Sequence, residues 1–163
     1  MCLVRKDGYN FGVVKNKPIE AYKVLMEQDG VLYGPVMGFR YEIGKTYEEM
    51  LGGIPTMTIN SYPVYDIGFH MLSSIDSAIL YLNIIEKFIG FYDYITNRIA
   101  PAFLTIVKCL IPPTTDGIDT IYVTGEDGDH GIPCIISNRI QIIEVVSRQE
   151  IRNRMKSVNL KPF

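Results

Sequence analysis

Hydrophobic residues recur at helical spacing over one long stretch of the chain. Ile75, Ala78, Ile79, Leu82, Ile85 and Ile89 fall on one face of a helix. Ser73 stands at its N-cap, which puts Asp76 at the third helical position, where a carboxylate meets open amides and the positive end of the helix dipole. Gly90 is the natural residue to end it. Just upstream, Gly68-Phe69-His70-Met71-Leu72 reads as a glycine-opened strand feeding that helix. Downstream, Phe91 to Arg98 is aromatic without a clear period and stops before Pro101.

Elsewhere the pattern is that of strands. Residues 1–18 form a short strand or arm that ends at Pro18. Ala21 to Met26 and Val31 to Tyr33 flank Gln28-Asp29-Gly30, and Asp-Gly favours the positive φ angles of a tight turn, so residues 21–34 read as a hairpin. Phe39 to Ile43 alternates and closes at Gly44-Lys45. Thr46 caps a short helical turn through Met50, with Glu49 at the capping-box position and Gly52-Gly53-Ile54-Pro55 as its stop. Residues 56–66 are strand-like and rich in tyrosine. Phe103 to Ile111 is apolar on both faces, the mark of a central strand, and ends at Pro112-Pro113. Residues 114–119 are a polar loop, Ile121 to Val123 a short strand, Thr124 to Gly131 an acidic loop, and Asn138 to Val146 a strand with one wet face.

The helices do not alternate regularly with the strands, which argues against a doubly wound parallel sheet. The expectation is a single α+β domain over residues 1–146, a mainly antiparallel sheet of about six to eight strands with two or three helices. Residues 147–163 follow as a basic C-terminal helix or tail.

Composition narrows the function classes. The chain has 163 residues, 47% hydrophobic and 21% charged, enough to bury a core and unlike a disordered chain. Its net charge is -2, so the overall field does not favour nucleic acid. The 11 tyrosines and 7 phenylalanines suit half-buried strands or a contact surface. No apolar run reaches the length of a membrane span, and the charged start, Arg5-Lys6-Asp7, lacks the apolar core of a secretory signal. Three scattered cysteines (Cys2, Cys109, Cys134) make neither a disulfide framework nor a metal pair and fit reduced thiols in a cytoplasm.

Four residues stand out as ligand-binding candidates: Arg40, His70, Ser73 and Ser74. His70 is a base or orienting donor, or else a strand histidine bonded to backbone. One serine caps the helix, and a second hydroxyl beside the open amides suits a phosphate or ribose. The acidic stretch Thr124 to Gly131 gathers oxygen ligands for a hard cation, but its spacing is not that of an EF-hand, and a solvated loop explains it. Cys2 invites comparison with N-terminal cysteine nucleophiles, without the glycine-rich surroundings they need. The basic stretch Arg148, Arg152, Arg154 and Lys156 is diluted by Glu150 and reads as solvated. The usual nucleotide-loop, zinc-protease and hydrolase motifs are missing from the sequence. No metal or cofactor is implied.

Several short motifs carry a resemblance: Ala21-Tyr22-Lys23-Val24-Leu25, Ile43-Gly44-Lys45-Thr46-Tyr47, Gly68-Phe69-His70, Asp76-Ser77-Ala78, and Ile106-Val107-Lys108-Cys109-Leu110-Ile111-Pro112. Together with the Met-Cys start, over roughly residues 1–146, they resemble small uncharacterised proteins of gut Bacteroidetes and their phages. That resemblance implies a phage or mobile-element accessory protein and no particular activity. Residues 68–111 are more distantly similar to the middle of ADP-ribosyltransferases, where a glycine-aromatic-serine segment lines the NAD site. On that reading Arg40, Ser73 and Glu126 or Glu144 would form the site, although the early strand offers Tyr22 and Lys23 where those enzymes carry Arg or His. Three roles follow as expectations: a non-catalytic binding protein for a host protein or a small nucleotide-like ligand, an ADP-ribosyltransferase-like enzyme using NAD, or a virion or assembly component. A homo-oligomer is left open.

Overall fold

A computed structural model gives the fold and describes residues 3–4, 10–34, 39–49, 56–59, 62–65, 68–96, 103–127 and 130–157. In chain order the strands begin with β1 (Leu3–Val4), β2 (Asn10–Val13), β3 (Ile19–Gln28), β4 (Val31–Tyr33), β5 (Arg40–Tyr41) and β6 (Thr46–Glu48). They continue with β7 (Thr56–Ile59), β8 (Tyr62–Tyr65) and β9 (Phe69–Leu72). Then come α1 (Ile75–Thr96), β10 (Phe103–Ile111), β11 (Ile121–Asp127), β12 (Pro133–Ser137), β13 (Arg139–Val145) and α2 (Arg148–Ser157). The class is α+β, and every strand pair among the described residues is antiparallel.

The strands are more numerous than expected. Ten lie on one hydrogen-bonded path, β6-β13-β10-β3-β9-β12-β11-β1-β8-β7, and three more attach beside it. Pairings as short as two residues, such as β1 and β5, are too brief to leave a period in the sequence. β3 and β10 form the backbone of the sheet, in register from Phe103 opposite Glu27 to Ile111 opposite Ile19. The β3–β4 hairpin turns through Asp29 and Gly30, both at positive φ (51° and 75°), as Asp-Gly favours.

Two strands that follow one another in the chain lie four places apart in the sheet. Asn138 alone separates the end of β12 from the start of β13, yet β12 pairs with β9 and β11 while β13 pairs with β10 and β6. One kinked segment thus joins the two sides of the path β13-β10-β3-β9-β12. The kink is pinned by side chains. Ile121 donates its amide to Asn138 Oδ1 (3.0 Å), Asn138 Nδ2 donates to the Asp119 carbonyl (3.0 Å), and Ser137 Oγ donates to the Ile121 carbonyl (2.8 Å). Buried Arg139 donates to Thr115 and Thr120 hydroxyls and pairs with Glu48 at 3.0 Å.

Two apolar cores result, one on each face. The first packs α1 and α2 on the sheet through Leu72, Ile75, Ala78, Ile79, Leu82, Ile106, Ile136, Ile151 and Met155. The second, away from the helices, holds Leu25, Tyr41, Tyr47, Phe69, Met71, Val107, Cys109, Ile140 and Ile142.

Several expectations are corrected. Thr46 does not open a helical turn: Thr46, Tyr47 and Glu48 pair with Gln141, Ile140 and Arg139, and burial of Tyr47 overrides the capping pattern. Gly90 does not end the helix, which runs 22 residues to Thr96 and absorbs part of the aromatic segment. A mid-helix glycine costs only about 1 kcal/mol. Ser74, not Ser73, is the N-cap, because its Oγ accepts the Ser77 amide at 3.1 Å. Glu126 and Asp127 belong to β11, paired with Val4 and Leu3, so the acidic loop begins later than expected. Of the two alternatives for the C-terminal segment, Arg148–Ser157 takes the helical one, with Ile151 and Met155 in the first core. Cys2, Gly52 to Pro55, Gly128 and Asp129 lie outside the described residues.

Candidate functional site

Strand alternation puts Ala21, Lys23 and Leu25 on one face of β3, and Ala21 and Leu25 belong to the second core. Lys23 is therefore a charged residue on an apolar face. Its reason for being there is local. β9 runs beside β3 but shares only one registered pair with it, Tyr22 opposite Leu72. Where the two strands part, the Lys23 ammonium donates to the His70 carbonyl at 2.6 Å. Its Nζ also lies 5.7 Å from the centre of the Tyr41 ring.

Glu49 reaches the same place from the residue after β6. Its amide donates to the Asn138 carbonyl at 2.9 Å, so the β12–β13 kink sets its backbone. Its Oε2 is buried with no hydrogen-bond partner. Around the pair stand Cys109, Tyr41 and Tyr47, the last two in edge-on contact with ring centres 5.3 Å apart.

The electrostatics follow from burial. Burial lowers the Lys23 pKa to about 8, against the pull of Cys109 and Glu49, which raise it. Burial likewise raises Glu49 above its ordinary value, opposed by the Lys23 charge and by the Gly68 amide. The Cys109 thiol is pushed up to about 12, mainly by burial. Tyr41 is raised for the same cause, with Cys109, Glu49 and Tyr47 adding to it. Cys109 is thus held as a thiol and is no nucleophile. Burial thus disfavours the charged forms of both Lys23 and Glu49, and the attraction of each for the other opposes it.

The four residues singled out from the sequence do not gather there. His70 is half-buried in β9 opposite Ile136, and its carbonyl, not its ring, meets Lys23. Ser73 is exposed, and its Oγ donates to the Pro133 carbonyl at 3.3 Å. Ser74 caps α1 and donates to the Ser77 hydroxyl at 2.9 Å. Arg40 is exposed on β5 and lines a separate open cleft of about 310 Å³ with Val31, Leu32, Tyr41, Ile43 and Val145. Neither the two serines and His70 nor Glu126 and Glu144 line that cleft.

In the sequence Glu49 reads only as a capping-box residue and Lys23 only as an early-strand residue, and neither is singled out as part of a site. The available signal was period two: a lysine between Ala21 and Leu25 interrupts an otherwise apolar face. Among the described residues no three His, Cys, Asp or Glu side chains converge as a metal site. No described helix is long and apolar enough to cross a membrane. No family model matches the chain, and no curated protein or solved structure matches it either.

Proposed function

We propose that this protein is a non-catalytic binding protein that docks a partner protein at the end of the sheet carrying Arg40. The observation behind this reading is a cluster of exposed apolar side chains. Phe39, Ile43 and Val145 are 48%, 58% and 37% exposed, and Ile43 and Val145 line the Arg40 cleft together with Val31 and Leu32. Exposed apolar groups around an arginine make the usual anchor chemistry of a protein interface. A nucleotide fits less well. Glu27 and Glu42 also line the cleft, so Arg40 is outnumbered by carboxylates where a polyphosphate would need cations. The resemblance to phage-associated proteins suggests a host protein as the partner.

The experiment is capture from host lysate by the immobilised protein, run beside Ile43→Asp and Arg40→Glu. Both positions are exposed, so the fold survives. A partner held by the parent and lost from both variants supports the docking end. Identical capture by all three proteins removes it, and a thermal shift with a nucleotide that the variants abolish would favour the small ligand instead.

A further inference from the structure

The face of β3 that carries Ala21 and Leu25 into the second core also carries Glu27, two residues further on. Glu27 stands opposite Leu32 on β4, and Leu32 stands opposite Tyr41 on β5, so the three side chains form one cross-strand row. Leu32 and Tyr41 are core residues, 5% and 7% exposed, while Glu27 is half-buried. All three line the cleft of about 310 Å³, together with Val31, Ile43 and Val145. The cleft is thus the open end of the second core, with an apolar floor and a carboxylate in the same row. Among the described residues that carboxylate has neither an ion pair nor a hydrogen bond. Glu42, the other carboxylate of the lining, pairs with Lys45 at 3.7 Å, a mainly exposed contact that solvent screens. Arg40 belongs to the next row, opposite Tyr33, on the other face of β5.

We propose that the cleft receives one basic side chain of the docked partner protein, an arginine or a lysine, whose stem packs on Val31, Leu32 and Val145 and whose head pairs with Glu27. This rests on the docking end proposed above and names the chemistry that the end selects. A purely apolar group would cover Glu27 and leave its carboxylate without a donor, which costs free energy. An acidic group would meet two carboxylates against one guanidinium. A long basic side chain satisfies both parts, because its methylenes cover apolar surface and its tip carries only donors. The volume stands at the low end of ligand clefts, roughly 300 Å³, which suits one side chain and not a dinucleotide. Arg40, outside the row, remains the second contact, for a carboxylate or carbonyl of the same partner.

The test titrates the isotope-labelled full chain, at low salt, with three blocked tripeptides: valine-arginine-valine, its neutral citrulline counterpart and valine-glutamate-valine. The arginine peptide should move the backbone amide signals of Val31, Leu32, Ile43 and Val145, less so as salt is added. The citrulline peptide should bind markedly more weakly, and Glu27→Gln should lose the arginine response. Equal responses to arginine and citrulline, a stronger response to glutamate, an unchanged response in Glu27→Gln, or no response at millimolar peptide overturns the proposal. Movement of the same signals with protein concentration alone would seat a second copy of the chain there and also overturn it. Should Glu27→Gln not fold, the difference between arginine and citrulline decides. Lysate capture separates this inference from the docking reading. A partner lost from Ile43→Asp but held equally by Glu27→Gln keeps the docking end and overturns the basic anchor. An arginine response in a protein that captures no partner keeps the basic-group site and removes the docking end.

Discussion

At the scale of single residues, the unusual choice is a lysine and a glutamate in an apolar core. Hydrophobic side chains would fill the space at less desolvation cost. What the pair supplies is a donor for His70 and an anchor beside Gly68, at a seam where the backbone makes a single registered pair. Lys23→Met should therefore destabilise the fold at pH 7 by about 2 kcal/mol, since it strands a carbonyl and a buried carboxylate. Lys23→Met combined with Glu49→Gln should be more stable than Lys23→Met alone, with a gap that narrows toward pH 4 as Glu49 takes up its proton. Urea denaturation of the three proteins at both pH values measures this, and a double variant no better than the single would refute it. Lys23 also has a signature in alkali. Its folded pKa, about 8, lies below the ordinary 10.5. Between those values the unfolded chain binds the extra proton, so this group's contribution to stability grows as pH rises through that window. The stability difference between the parent and Lys23→Met should accordingly increase from pH 7.5 to 10, and a flat difference would show that Lys23 is not desolvated. None of this was legible in the sequence, because a lysine in a strand is far more often a wet-face residue, and Glu49's role depends on a kink ninety residues away.

At the scale of elements, legibility tracked the length over which a period repeats. The helix after the serine pair was readable from its repeating period, the hairpin from the turn chemistry of Asp29-Gly30, and the central strand through Val107 from a long run apolar on both faces. β6 was misread because Thr46 and Glu49 satisfy a local capping pattern that a three-residue pairing with β13 overrides. β12 was missed because it opens on a proline and is short, five residues buried almost throughout, so it shows no alternation. The start of α1 was misplaced by one residue, and the two serines test that. Ser74→Ala should cost about 1 kcal/mol, the usual loss of an N-cap. Ser73→Ala, which removes only an exposed 3.3 Å bond to Pro133, should cost about 0.5 kcal/mol or less. Thermal denaturation of the two variants ranks them, and the reverse order would restore Ser73 as the cap.

At the scale of the whole molecule, the question is what fastens the last helix to the sheet. The sequence offered α2 as a basic segment, and its charges do find partners: Arg154 lies 3.5 Å from Asp76 in the first turn of α1 and 3.5 Å from Glu150. All three of these side chains are largely exposed, so solvent screens both pairs and each is worth little. The apolar side of α2 is different. Met155 is 1% exposed and Ile151 is 8% exposed, both within the core that α1 shares with the sheet. Docking of α2 is therefore hydrophobic, and its arginines set the angle of approach more than the strength. Met155→Ala should cost about 3 kcal/mol through lost burial and the cavity it leaves. Arg154→Ala should cost about 0.5 kcal/mol at most, and only at low salt. Chemical denaturation of both variants in low and high salt separates the two contributions. A larger, salt-sensitive loss in Arg154→Ala would mean that the helix is held by charge, and a negligible loss in Met155→Ala would mean that residues 147–157 are an appendage to a domain that folds without them.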